Sequence, residues 1–374
     1  MSNQKSRRCL VHIGQPKTGS TSIQSHLGQQ REELLGHGIY FWQGFQPTML
    51  EVAQCTRPSL VAMGPGQNFL LVPPYRSEPP PLLVAAGVSQ IEFQNIGTYF
   101  WKKFKSEVEE TQADTVVVSC ELIFHPQFLP HFIRRLKGFF EFVEVIAYLR
   151  NPVDHYPSGI SELTRILTPV DRLVPSSWEG GNLLETLDSL ESTPELDGLH
   201  LKLFAPGSLF GQDVVKDFLA TLADLTGKPL GASTGSKSLN RALPGSYYAW
   251  LFFHSGYYTP SGQATIDGDF VKHLLMAREV ARQLNGEGLV PLSIRDTPLD
   301  SLIRRRRGGE WNQICDRYLN GIGKLEDPTG ECRKVAQDDY GQERAQFVQW
   351  LRSYLDQAWT EYFDELHRKI FIDD

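Results

Sequence analysis

Apolar positions along the chain recur in two forms, short unbroken runs and longer stretches spaced by three or four. Cys9-Leu10-Val11-His12-Ile13-Gly14 is a continuous run closed by glycine, which predicts a buried strand. Residues 18–35 follow with Ile23, Leu27, Leu34 and Leu35 on one side, the spacing of a helix. The alternation repeats downstream. Helical spacing over 91–110 precedes the β-branched run Thr115-Val116-Val117-Val118-Ser119. A helix over 128–140 precedes a strand over 142–149, and a strand over 199–204 precedes a helix over 214–226. Strands alternating with helices predict a doubly wound α/β fold with a central parallel sheet flanked by helices.

Three regions depart from that rhythm. Seven prolines lie between Pro58 and Pro81. Repeated proline removes donors and fixes φ, so residues 57–90 are expected to be an insertion outside the sheet, either a lid or a disordered surface loop. Residues 168–198 are turn-rich and mixed. The last third, 240–374, is expected to be mainly helical and packed on the core. It holds a helix over 269–285 and a long amphipathic one over 343–367, whose Phe347, Leu351, Tyr354, Ala358, Tyr362 and Leu366 read as core packing. The expectation is one domain over 1–374 with helical C-terminal additions.

Composition narrows the function classes. The 374 residues carry 37 Lys and Arg against 44 Asp and Glu, a net charge of −7. That balance argues against nucleic-acid binding by bulk charge but leaves room for a local basic pocket. The five cysteines are odd in number and form no Cys-x-x-Cys pair, so they read as reduced thiols and point to a cytoplasmic protein. No apolar stretch reaches the roughly 18 residues of a membrane span. His-Glu-x-x-His and Gly-x-Ser-x-Gly are absent, no histidines have metal spacing, and no metal is expected.

The chemistry concentrates in two segments. Gly14-Gln15-Pro16-Lys17-Thr18-Gly19-Ser20-Thr21-Ser22 follows a strand and opens a helix. That context presents backbone N–H groups and a positive helix end to an anion, with hydroxyls as further donors. It is not a Walker A loop, because the lysine precedes the second glycine instead of following it. At position 17 the lysine can meet the bridging oxygen of a leaving phosphate. The second segment is Arg150-Asn151-Pro152, which ends a strand, with Ser158 eight residues beyond Arg150 in a helix. Arginine binds phosphate in bidentate fashion and Ser158 can bond the same group, although Arg-Asn-Pro is also a common strand-to-helix turn.

Together the two segments resemble the PAPS-dependent sulfotransferases, in the bacterial and carbohydrate-type branch. Pro16-Lys17-Thr18-Gly19-Ser20-Thr21-Ser22 is similar to that family's 5′-phosphosulfate loop. Tyr148-Leu149-Arg150-Asn151-Pro152 with Ser158 is similar to its 3′-phosphate site. The resemblance covers 10–27 and 115–164 and is loose elsewhere. It implies a P-loop NTPase-like three-layer fold. It also implies a donor, 3′-phosphoadenosine 5′-phosphosulfate (PAPS), with 3′-phosphoadenosine 5′-phosphate (PAP) as product. Ser119-Cys120-Glu121 after the strand matches a Ser-x-Glu of the branch and makes Glu121 the first candidate for the catalytic base, with His125 the second. A structural carboxylate and an ordinary loop histidine are the plain alternatives for these two.

The reaction so implied moves a sulfuryl group to a hydroxyl or amine of a glycan, lipid or small molecule. Lys17 would stabilise the leaving phosphate. Competing readings are a P-loop kinase or NTPase and a non-catalytic PAP-binding module on the same fold. The aromatics Tyr40, Phe41, Trp42, Tyr99, Phe100 and Trp101 either line an acceptor site or pack the core. Arg304-Arg305-Arg306-Arg307 reads as a solvated basic turn or an acceptor-anion contact.

Overall fold

The computed structural model describes residues 7–42, 89–165, 182–230 and 298–326. Most of the Pro-rich segment, the helices expected over 269–285 and 343–367, and Cys55 and Cys332 lie outside them. The chain divides into two compact units. The first comprises Met1–Arg150, Gly181–Asn240 and Ile314–Gly323; the second comprises Asn151–Gly180, Arg241–Gln313 and Lys324–Asp374.

The first unit holds a five-stranded, wholly parallel sheet. Its strands are β1 (Arg8–Gly14), β2 (Ile39–Trp42), β3 (Thr115–Ser119), β4 (Phe142–Leu149) and β5 (Gly198–Leu203), in the order β2-β3-β1-β4-β5. Among the described residues the α-helices of this unit are α1 (Ser20–Gln29), α2 (Arg31–Gly36), α3 (Gln90–Glu110), α4 (Leu129–Lys137), α6 (Leu183–Glu191) and α7 (Val214–Thr226). In the second unit α5 spans Pro152–Arg165, and α8 spans Pro298–Tyr318 and ends in the first.

Strand side chains alternate between two faces, and helices cover both. On one face Leu10, Ile39, Phe41, Val117 and Ile146 meet Ile23 and Leu27 of α1 and Phe218 and Leu222 of α7. On the other, Val11, Val116, Val118 and Val145 meet Trp101 and Phe104 of α3 and Phe132 and Ile133 of α4. This three-layer α/β arrangement explains why β1 and β3 read as unbroken apolar runs. Each fully buried large apolar side chain, such as Phe132 or Phe218, contributes about 2–3 kcal/mol of burial free energy.

Several expected elements change. The helix expected over 18–35 starts at Ser20, because Gly19 is left-handed with φ 83°, and divides at Gln30 into α1 and α2. Tyr40, Phe41 and Trp42 form β2 and are buried, as is Trp101, so these four pack the core instead of lining an acceptor site. The side chains of Tyr99 and Phe100 lie outside the described ones. Glu107 of α3 accepts from Tyr40 Oη at 3.2 Å and Trp42 Nε1 at 2.9 Å, which satisfies both polar tips. Burial beside that carboxylate pushes the Tyr40 phenol up to about 12. Residues 183–191, within the stretch read as turn-rich, form α6 with Leu183, Leu187 and Leu190 buried.

The four arginines 304–307 also differ from expectation. They lie inside helix α8, not in a turn. Arg304 pairs with Asp300 at 2.5 Å and Arg307 with Glu310 at 3.5 Å, spacings of four and three residues along one helix.

Candidate active site

Because the sheet is parallel, the C-terminal ends of β3, β1 and β4 lie on one edge, side by side. The connection after β1 runs toward β2, and the one after β3 runs the opposite way to β4. Such a reversal opens a crevice outside the carboxyl ends of the two strands, the usual ligand position in open α/β sheets. Three sequence-predicted segments leave this edge. They are the loop 15–19 after β1, Cys120-Glu121 after β3, and Arg150 after β4.

The loop after β1 is held tightly at its base. Gln15 N donates to Tyr148 O at 3.2 Å, and Thr18 Oγ1 donates to Gln15 O at 2.7 Å. A Cβ on Gly14 would lie 2.6 Å from Thr18 Oγ1 and 3.1 Å from Tyr148 O, so glycine is required there for the chain to turn back on itself. Lys17 has φ 68°, the left-handed region that a side chain rarely adopts. Gly19 follows at φ 83° and caps α1 without any side-chain cap bond. A Cβ at Gly19 would lie 2.7 Å from Val214 Cγ1, so α7 packs directly against the loop. Pro16 and Thr21 are exposed, Lys17 and Gly19 are half-buried, and Thr18, Ser20 and Ser22 are buried. Two positive-φ residues in three positions lead directly into the N-terminus of a ten-residue helix, a backbone arrangement of the kind that attracts an anion.

Arg150 joins this loop. Its backbone N–H donates to Gln15 Oε1 at 2.6 Å, and its Nη1 donates to Lys17 O at 3.2 Å. Its guanidinium stands 5.5 Å from the centre of the Phe204 ring, just after β5. Lys17 and Arg150 therefore meet at one loop although 133 positions separate them. Gln15, buried and bonded to Arg150, was not among the sequence candidates; its place inside the glycine-bounded loop was the available signal.

Glu121 begins a 3₁₀ turn, Glu121–Ile123, directly after β3. Its Oε2 accepts a hydrogen bond from Ser20 Oγ, the first residue of α1. The carboxylate thus reaches the phosphate-cradle end of α1. His125 lies beyond that turn. Its Nδ1 accepts from Gln127 N at 3.2 Å and its ring stacks on Phe128 at 4.6 Å, so it takes part in organising the start of α4. Ser158 is half-buried on α5, in the second unit. There Asn151 caps the helix, its Oδ1 accepting from Asp154 N at 2.9 Å and its carbonyl from His155 N at 2.9 Å, while Pro152 opens it.

Beneath the edge, three polar side chains meet. His12 Nδ1 lies 2.7 Å from Ser119 Oγ, and Gln24 Nε2 donates to the same oxygen at 3.1 Å. His12 is buried, and desolvation pushes its imidazolium down to about 3, so the ring is neutral. Among the described residues no cluster of three or more His, Cys, Asp or Glu side chains could hold a metal ion, and no helix is long and apolar enough to cross a membrane.

No protein-family model matches the chain, and no curated protein matches it. A solved structure, the sulfotransferase domain from the curacin biosynthetic pathway, aligns over 82% of this chain and 98% of that one, at 13% identity and a TM-score of 0.34. At that level the likeness carries no residue-by-residue correspondence.

Proposed function

We propose that this protein is a sulfotransferase that moves a sulfuryl group from PAPS to a hydroxyl or amine of a glycan, lipid or small molecule. The observation that carries the reading is the convergence on one sheet edge of a lysine-bearing anion loop, an arginine bonded to that loop, and a carboxylate bonded to the first residue of the helix it opens. A nucleotide with phosphate at both ends needs two cationic points, and the pair Lys17 and Arg150 supplies them.

In the proposed reaction the acceptor oxygen attacks sulfur, and the bond from sulfur to the bridging oxygen of the 5′-phosphate breaks. The acceptor proton passes to the Glu121 carboxylate, and the electron pair of the broken bond stays on PAP. Lys17 faces the charge that grows on the departing phosphate, and the amides of 18–22 hold it. Arg150 holds the 3′-phosphate. Transfer of this kind asks the protein for in-line positioning and charge stabilisation more than for covalent chemistry. Glu121 is preferred over His125 as base because its carboxylate touches the loop's helix, whereas His125 Nδ1 is engaged with Gln127. The lysine position disfavours a kinase, since no lysine follows Gly19.

Isothermal calorimetry with PAP, ATP and GTP tests the donor. PAP binds selectively on this reading, and Arg150→Ala weakens it by tenfold or more. Equal or tighter ATP binding with magnesium would turn the assignment toward a kinase. Labelled PAPS offered to extracts, with mass identification of what gains sulfate, names the acceptor; binding of PAP without any turnover would favour a non-catalytic nucleotide-binding module.

A further inference from the structure

The cluster of His12, Ser119 and Gln24 lies below the loop, and no step of the proposed transfer uses it. Its three members come from three elements, β1, β3 and α1. Ser119 closes β3, and the following amide, Cys120 N, donates to His12 O at 3.0 Å. Gln24 Nε2 reaches both the hydroxyl of Ser119 at 3.1 Å and its carbonyl at 3.3 Å. One helical turn earlier on the same helix, Ser20 donates to Glu121. So α1 grips the end of β3 at two points, Gln24 on Ser119 and Ser20 on Glu121, while β1 grips it from behind through His12.

Hydrogen counting orders the cluster. Gln24 donates to the Ser119 hydroxyl, which leaves that hydroxyl's own proton to place. Donated to His12 Nδ1, it leaves one buried atom of these three side chains without a partner, His12 Nε2. The opposite tautomer leaves the Ser119 proton unplaced as well, so the chain runs Gln24 to Ser119 to His12. A buried neutral imidazole is then a fixed acceptor, not a proton carrier. Leaving a polar atom buried without a partner costs about 1–3 kcal/mol, so such an arrangement calls for a compensating role.

We infer that His12, Ser119 and Gln24 are positioning residues that hold the Glu121 carboxylate at a set distance from the N-terminal turn of α1. The inference rests on the sulfotransferase reading for what Glu121 does, but not for how it is held. The proposed base and the cradle for the leaving phosphate sit on different elements, the turn after β3 and the start of α1, and this cluster together with the Ser20–Glu121 bond ties the two ends together. Misplacing a reacting group by about 1 Å can cost on the order of 10²-fold in rate.

Three variants test it: Ser119→Ala, which removes the hydroxyl; Ser119→Thr, which keeps one; and Gln24→Met, which keeps the shape of a half-buried side chain and removes its donor. Turnover, PAP affinity and amide hydrogen exchange over residues 120–124 are measured on each. Ser119→Ala and Gln24→Met should lower kcat about 10- to 100-fold with PAP affinity within about threefold of the parent. They should speed exchange over 120–124 at least tenfold, and Ser119→Thr should recover most of both. Unchanged exchange and turnover in Ser119→Ala and Gln24→Met would overturn the positioning role, as would an equal loss in Ser119→Thr. If the parent protein neither binds PAP nor turns over PAPS, the sulfotransferase reading fails instead. The exchange measurement alone then decides whether the cluster holds Glu121.

Discussion

At Lys17 a side chain with a proposed chemical role sits on backbone that disfavours any side chain, φ 68°. The left-handed conformation costs a non-glycine residue roughly 1–2 kcal/mol. Two substitutions separate chemistry from strain. Lys17→Ala and Lys17→Gly should both lower turnover by on the order of 10²-fold or more, because each removes the charge that meets the leaving phosphate. Lys17→Gly should nevertheless be the more stable of the two by about 0.5–1 kcal/mol in urea unfolding, since glycine accepts positive φ. Equal turnover in parent and Lys17→Ala would remove the lysine from the mechanism. Glu121→Gln keeps a partner for Ser20 and removes the proton acceptor, so PAP binding should persist while kcat falls at least 10²-fold. An active Glu121→Gln protein transfers the base role to His125. At this scale Lys17, Glu121 and Arg150 were legible as residue types in a recognisable order. Gln15 and His12 were not, because a buried amide and a buried imidazole look like any polar residue in an apolar run until their partners are known.

Among elements, the strands and their lengths were read most closely. Residues 115–119 and 142–149 are strands over the expected spans, because central parallel strands are covered on both faces and must be apolar throughout. The edge strand β2 was missed. Four residues, Ile39-Tyr40-Phe41-Trp42, are too few for a period, and they are buried by helices from both faces, Tyr40 and Trp42 under Phe104 and Glu107 of α3, Ile39 and Phe41 in the cluster of Ile23, Leu27 and Phe218. The arginine run in α8 misled in the other direction. Gly308 and Gly309 directly after the four arginines lower helix propensity, yet burial of Ile303, Trp311 and Ile314 at helical spacing and the i,i+3 and i,i+4 ion pairs keep it helical. The junction of the β1 loop with α7 offers a test at this level. Gly19→Ala places a methyl 2.7 Å from Val214 Cγ1 and 3.3 Å from Phe204 Cε2 at φ 83°, so it should destabilise the fold by about 1–3 kcal/mol. It should also weaken PAP binding at least tenfold by shifting the helix end. Thermal unfolding and calorimetry on that variant check both, and parent-like values would show that α7 does not brace the loop.

For the whole molecule, the net charge of −7 and the local collection of cations are compatible because the anion loop needs only Lys17, Arg150 and backbone dipoles on one sheet edge. Global stability should carry the mark of the buried histidine. His12 is neutral in the folded protein down to about pH 3, whereas in the unfolded chain it takes a proton near 6.5. Between those values the unfolded state holds the extra proton, so the contribution is complete above pH 6.5 and is lost as pH falls toward 3. The slope approaches about 1.4 kcal/mol per pH unit. Urea unfolding of the parent and of His12→Asn from pH 7 to pH 4 measures it. The parent should lose more stability with acidification than the variant, and parallel curves would mean that His12 is not neutral and buried in the fold.

The amino-acid sequence by itself determined the alternation of strand and helix, the glycine-bounded loop with its lysine, and the arginine at a strand end. Each is a local pattern, set by side-chain period or by the steric needs of a turn. Only the tertiary structure decided that the segments after β1, β3 and β4 share one edge, because strand order in a parallel sheet depends on crossovers that no local pattern encodes. It also decided that Tyr40, Trp42 and Trp101 are core, and that Ser20 meets Glu121 across 101 positions. Burial and hydrogen-bond partnership are properties of what packs on a residue from elsewhere in the chain, and that is settled by the fold as a whole.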